Sequence, residues 1–130
     1  GTNHRFALYD GMLIKENHIT AAGGVMPAVK AAIDRSHHLQ SVGVEVTSLA
    51  QLAEAIDADA DVALLDNMTL EQMREAVEFA RGKDIVLEAS GNVTIERVRA
   101  IAETGVHIVS VGALTHSAPA IDLSLEISNA

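Results

Sequence analysis

The 130-residue sequence predicts an α/β fold, a parallel sheet covered by helices, on three observations. Apolar, β-prone runs centred on Val44, Leu64, Leu87 and Val109 recur at intervals of 20, 23 and 22 residues. Between successive runs lies a segment with apolar residues at helical spacing, and several of these segments open on a capping residue. The runs themselves are nearly continuous rather than alternating, as in parallel strands covered by helices. Such a βα repeat forms either an open doubly wound sheet or part of a (β/α)8 TIM-like barrel. A complete barrel takes about 250 residues, so this chain would supply roughly five βα units of one.

In chain order, Leu13-Ile14-Lys15 reads as a short strand. Val25, Val29, Ala32 and Ile33 then recur as a helix face, with Pro27 in the first turn, where its missing N–H costs little. Val42 to Val46 is a strand interrupted by Glu45, and Ser48 to Gln51 is a capping box that opens a helix carrying Leu49, Leu52, Ala53 and Ile56. Val62 to Asp66 is the next strand. Thr69 to Gln72 is a second capping box, before a helix with Leu70, Met73, Val77 and Ala80 inward, stopped by Arg81-Gly82-Lys83. Ile85 to Ala89 is a strand, Thr94 caps a helix using Ile95, Val98, Ile101 and Ala102, and Gly105 fits the left-handed position past its end. Ile108 to Val111 is a strand, and Leu123, Leu125 and Ile127 alternate with polar residues as one last half-exposed strand or a final turn.

Composition limits the function. The formal net charge of -9 argues against nucleic acid or an anionic membrane as the main partner. Residues 1–20 are neutral, with Arg5 and Lys15 against Asp10 and Glu16, so the other residues carry all of that charge. A segment that adds His4 and His18 to these two cations is a candidate anion site. The absence of cysteine excludes disulfides, thiolate metal sites and thiol nucleophiles, and fits a cytoplasmic location. No apolar run approaches the roughly 20 residues that a membrane span needs. The chain starts Gly-Thr-Asn-His-Arg without a methionine, and reads as a piece of something longer.

In either architecture ligands sit at the C-terminal ends of the strands, and the polar residues gather there. Lys15, Glu45, Asp66, Glu88 with Ser90-Gly91, and Gly112 each follow or end a strand. A single acid at such a place also serves as a helix N-cap. Five in register weigh against capping alone. Ser90-Gly91 and Gly112 are phosphate candidates, because glycine lets backbone N–H groups approach an anion, and His116 is a side-chain donor to the same anion; tight turns are the competing reading of both glycines. Glu45 and Asp66, on neighbouring strands, suit a shared divalent cation such as Mg2+ or a pair of sugar hydroxyls, with salt bridges to Lys15 or Arg5 as the plainer alternative. Asp57, Asp59 and Asp61 imitate the start of a calcium loop, but Val62 and Met68 stand where its glycine and glutamate belong, so they read as a solvated loop. His37-His38 has no third ligand at a useful spacing, and His107 reads as structural.

Six motifs together resemble quinolinate phosphoribosyltransferase, the decarboxylating phosphoribosyltransferase of NAD biosynthesis: Asn3-His4-Arg5, Leu13 to His18, Val44-Glu45-Val46, Leu65-Asp66-Asn67, Leu87 to Gly91 and Ser110 to Ser117. They run in family order over nearly the whole chain. The resemblance implies that residues 1–130 are the C-terminal part of the barrel domain, without the family's N-terminal α/β domain, the first barrel strands and their cationic segment. It implies transfer of phosphoribose from 5-phosphoribosyl 1-pyrophosphate to quinolinate with Mg2+, giving nicotinate mononucleotide, pyrophosphate and CO2, in a homodimer. By the same resemblance His4, Arg5 and Lys15 hold the carboxylates and nearby pyrophosphate, Lys15 acting also on the carboxylate that is lost. Glu45 and Asp66 face the ribose and its metal, and Ser90, Gly91, Gly112 and His116 form the 5-phosphate pocket. Asn92 stands where many members have a further glycine, and Ala7 where glycine is usual. A paralogue acting on another pyridine carboxylate, or an inactive self-associating piece, are the alternatives.

Overall fold

The computed structural model describes residues 6–128 of the chain. Five strands, β1 (Gly11–Ile14), β2 (Ser41–Val46), β3 (Val62–Asp66), β4 (Val86–Ser90) and β5 (Ile108–Val109), are connected by α1 (Glu16–Ala22), α2 (Val25–Ile33), α3 (Leu49–Asp57), α4 (Leu70–Phe79) and α5 (Val98–Ala102), and α6 (Ala113–His116) follows. The strands form one parallel sheet in the order β1-β2-β3-β4-β5. A doubly wound sheet reverses its strand order at a switch point. These strands step one way throughout, and right-handed crossovers then put every connecting helix on the same face. Of the two architectures the repeat allows, this is the winding of a barrel.

Alternation along each strand separates the two faces. Val42, Val44, Val46, Ala63, Leu65, Leu87 and Ala89 are buried and join Val29, Leu52, Met73 and Ile101 of the helices in one core. The other face carries Glu45, Leu64, Glu88 and Ile108, which lie in register across β2 to β5. This is the inner face of the barrel arc. Towards its two ends it is open: Leu13 is 36% and Ile108 44% exposed. Leu65 lies at the centre of the helix-covered core, and truncating it there leaves a cavity. Leu65→Ala in the full-length protein is expected to lower unfolding free energy by roughly 2–5 kcal/mol in urea titrations.

Side chains at strand starts lace the sheet at its N-terminal edge. The Asp61 carboxylate accepts the Val42 N–H at 2.7 Å, and the Asp61 N–H donates to the Val42 carbonyl. One βα unit pair further on, His107 Nδ1 accepts the Leu87 N–H at 2.9 Å, and the His107 N–H donates to the Leu87 carbonyl. His107 is therefore structural, as the sequence indicates. Asp61, in contrast to Asp59 on its exposed left-handed turn, is not merely solvated.

Several elements differ from the sequence reading. Lys15 is not in the strand; it is the extended N-cap of α1, a helix that apolar periodicity does not reveal because none of its residues is buried. His18 Nδ1 accepts the Lys15 N–H at 3.0 Å, and Gly23, at φ 84°, ends the helix. The two capping boxes also divide. Thr69 and Gln72 cap α4 reciprocally, whereas Gln51 reaches past Ser48 to the Thr47 N–H. The helix after β4 starts only at Val98, with Arg97 as N-cap, because the carbonyl of Thr94 accepts from the N–H groups of both Arg97 and Val98 in a preceding turn. Ile95 is thereby turned outward. β5 ends at Val109, although the Ser110 N–H still bonds to the Ala89 carbonyl. Residues 117–128 form no strand or helix, and Leu123, Leu125 and Ile127 are exposed. An alternating run needs a neighbouring ladder to become a strand, and none is present among the described residues.

Candidate active site

At the C-terminal ends of the strands lies a cleft of about 710 Å³, and Lys15, Glu45, Ser90, Gly91, Gly112 and His116 all line it. Six residues chosen from sequence thus meet around one cavity. Asp66 does not line it. It lies instead on an adjoining cavity of about 390 Å³ with Glu16, Thr47 and Gln51, and Glu45 borders both. His4 and Arg5 lie outside the described residues.

Lys15 reaches Glu45 because β1 and β2 pair in register, Leu13 against Gly43 and Ile14 against Val44, which brings the residue after β1 beside the fifth residue of β2. The Lys15 Nζ to Glu45 Oε1 distance is 3.0 Å, and the lysine side chain is 56% exposed. An ion pair this accessible to water contributes little stability. Lys15 can therefore exchange Glu45 for an incoming anion at small cost.

The opposite wall is built on three left-handed backbone positions, Asn67, Gly91 and Asn92. Asp66 pairs with Ser90, and the Asn67 N–H donates to the Ser90 carbonyl at 3.0 Å as the chain leaves β3. Asn67 and Asn92 both adopt left-handed conformations, φ 53° and 49°, which asparagine tolerates better than most residues. Their side chains join, Asn92 Nδ2 donating to Asn67 Oδ1 at 2.7 Å. Gly91, at φ 84°, lies under that bridge, and a Cβ there would stand 2.4 Å from Asn67 Oδ1. Gly91 thus meets both demands on a glycine, positive φ and close approach. Gly112 meets neither so strictly: its φ is -59°, and a Cβ would lie 3.2 Å from His116 Nε2. The His116 ring is fixed from its other side, with Nδ1 2.8 Å from Ser117 Oγ.

Among the described residues no three histidine, aspartate or glutamate side chains are grouped to hold a metal. Three carboxylates line the smaller cavity, Glu16 from α1 and the pair Glu45 and Asp66 from the neighbouring strands β2 and β3. That pair fits Mg2+, which keeps several waters and is commonly held by one or two carboxylates plus substrate phosphates.

The family model described as quinolinate phosphoribosyl transferase, C-terminal domain, matches residues 1–126. The chain belongs to this family. A Bacillus subtilis protein named probable nicotinate-nucleotide pyrophosphorylase [carboxylating] is 41% identical over 128 residues, covering 98% of this chain and 44% of that protein. The Methanothermobacter thermautotrophicus protein of the same name is 39% identical over 131 residues, 98% of this chain and 47% of that protein. Among solved structures, the nicotinate-nucleotide pyrophosphorylase from Francisella tularensis superposes with a TM-score of 0.85 at 50% identity, over 95% of this chain and 44% of that one. A thiamine phosphate pyrophosphorylase from Pyrococcus furiosus, at 23% identity and TM-score 0.60 over 80% of this chain and half of that one, shares the fold. The chain spans less than half the length of the two curated relatives.

In this quinolinate phosphoribosyl transferase domain the cavity has further polar lining that sequence reading did not select as site. Glu88 is buried on the inner face and accepts the Ser110 hydroxyl, and both border the cleft. The sequence places Glu88 near a strand end, two residues before Ser90 on the same face, without giving it a role. Arg97 and Asn92 also border the cleft; Arg97 lies in the turn that the sequence assigns to helix, and Asn92 in the bend before Thr94. Glu96 in that turn is fully exposed; the Thr94 side chain, and then its own backbone N–H, hold its carboxyl below the usual range. The membrane expectation has a structural counterpart: no described helix is long and apolar enough to cross a bilayer.

Proposed function

We propose that this chain is the barrel portion of an enzyme that transfers phosphoribose from 5-phosphoribosyl 1-pyrophosphate to quinolinate and releases CO2. The observation that carries the reading is the single cleft in which Lys15, Glu45, Ser90, Gly91, Gly112 and His116 converge, in a chain of this family. Quinolinate is a dianion, and Lys15 leaves its exposed bond to Glu45 to hold a carboxylate. His4 and Arg5 add charge to the same group. Ser90, Gly91, Gly112 and His116 hold the 5-phosphate at the other wall.

With both substrates placed, the pyridine nitrogen lone pair forms the bond to ribose C1 as the bond from C1 to pyrophosphate breaks. Glu45 and Asp66 face the positive charge that develops at C1, an electrostatic role without proton transfer. The bond from pyridine C2 to its carboxylate then breaks, CO2 leaves, and the electron pair left on C2 takes a proton. Lys15 holds that carboxylate until it departs. Mg2+ held by Glu45 and Asp66 would supply positive charge to the substrate phosphates.

The open inner face and the partial coverage of relatives support a further part of the reading, that residues outside this chain complete the barrel and the site; the lack of cysteine fits a cytoplasmic location, and the family resemblance implies a homodimer. The test is a product assay on the full-length protein with 5-phosphoribosyl 1-pyrophosphate and either quinolinate or nicotinate. The expected result is nicotinate mononucleotide and CO2 from quinolinate alone. Turnover of nicotinate without CO2 release would overturn the reading and favour a paralogous activity.

A further inference from the structure

We propose that Arg97 is a second cationic anchor for the phosphate that enters this cleft, a contact that rests on the phosphoribosyl-transfer reading. Charge is distributed unevenly around the cavity. Of its acids, Glu45 is paired with Lys15 and Glu88 accepts the Ser110 hydroxyl. Lys15 is therefore committed to the β1–β2 wall, where the dicarboxylate binds. At the β4–β5 wall the glycine turn offers backbone N–H groups, and His116 offers a ring already engaged with Ser117. A phosphate there meets no permanent positive charge among the described residues except Arg97, which borders the cleft beside Asn92, Val93 and Thr94.

The guanidinium is also held in place for this role. Its Nη1 donates to the Asn92 carbonyl at 2.8 Å, and Asn92 is itself tied to Asn67 at 2.7 Å. One of five N–H donors is used in that anchor, and the others are available in a fixed plane that matches phosphate oxygens. An arginine fixed to the loop that forms the phosphate turn loses less freedom on binding than a free surface side chain. It selects for the phosphorylated substrate, and has no part in holding the pyridine ring.

Arg97→Gln keeps a donor for the Asn92 carbonyl and removes the charge. In the full-length protein it is expected to raise KM for 5-phosphoribosyl 1-pyrophosphate about tenfold or more while KM for quinolinate and kcat stay within about threefold, as loss of a charge-assisted contact to one substrate predicts. Arg97→Lys should recover part of that loss. An unchanged KM for the phosphorylated substrate, or an equal rise in both KM values with a fall in kcat, would overturn the assignment, the second outcome marking a merely structural loop residue. Calorimetric titration with ribose 5-phosphate separates this from failure of the function itself. If the unsubstituted protein turns over no quinolinate yet binds ribose 5-phosphate, and Arg97→Gln weakens that binding about tenfold, Arg97 stands as a phosphate anchor and the activity falls. If Arg97→Gln leaves that binding unchanged, or the unsubstituted protein does not bind ribose 5-phosphate, the anchor falls.

Discussion

Lys15→Ala in the full-length protein is expected to lower kcat/KM for quinolinate about 10³-fold or more, the scale seen when a charged group acting on the reacting centre is removed. Two effects combine. The substrate carboxylate loses its cation, and Glu45, 3.0 Å from the lysine in this structure, becomes an unpaired negative charge facing an incoming dianion. The second effect can be separated from the first. In Lys15→Ala/Glu45→Gln the repulsion is gone and the missing cation remains, so quinolinate affinity should recover more than turnover does. Stability should change little, because an ion pair with a half-exposed lysine contributes at most about 1 kcal/mol. Steady-state kinetics and urea unfolding on the same preparations check both statements. Ordinary turnover with unchanged quinolinate affinity in the single variant would remove Lys15 from the site.

What the sequence made legible follows from which signals are local. The repeat spacing and the apolar runs located β2, β3 and β4 to within a residue or so, since a strand covered by helices must be apolar where its helix packs. The strand ends read from the apolar runs carried Lys15, Glu45, Ser90, Gly91 and Gly112, with His116 four residues further on, and a barrel arc brings strand ends together. Periodicity alone could not tell a barrel from a doubly wound sheet, because that choice lies in strand order and not in any one strand; only the six motifs of the family resemblance pointed to the barrel. It also missed α1, which buries no residue, and it drew the α5 face one turn early through Ile95. The cleft walls were harder still. The joined amides of Asn67 and Asn92 depend on two left-handed residues 25 positions apart, and no periodicity reports a contact of that kind. Asp66 marks the limit of strand-end logic: it is in register with Ser90, yet it faces the adjoining cavity.

Gly91→Ala should damage folding and phosphate binding together, and Gly112→Ala should damage only the second. At Gly91 an alanine must adopt φ near 84°, a left-handed conformation that costs a residue with a Cβ roughly 1–2 kcal/mol. Its methyl would also stand 2.4 Å from Asn67 Oδ1, and that amide is not free to withdraw. It accepts from Asn92 at 2.7 Å and donates to Asp66 at 3.1 Å, so yielding to the methyl breaks the bridge that shapes the turn. The expected loss is about 2 kcal/mol or more in urea unfolding, with a rise of about tenfold or more in KM for 5-phosphoribosyl 1-pyrophosphate. At Gly112 the backbone conformation is ordinary, and the methyl meets only the exposed ring of His116 at 3.2 Å. Unfolding free energy there should stay within about 0.5 kcal/mol of the parent while phosphate affinity falls as the ring is displaced. Asn67→Gly supplies the cross-check, since its φ of 53° suits glycine and its removal vacates the space the new methyl needs. Gly91→Ala/Asn67→Gly should therefore be more stable than Gly91→Ala alone. Additive losses in that double variant would show that the amide is not what excludes a side chain at position 91.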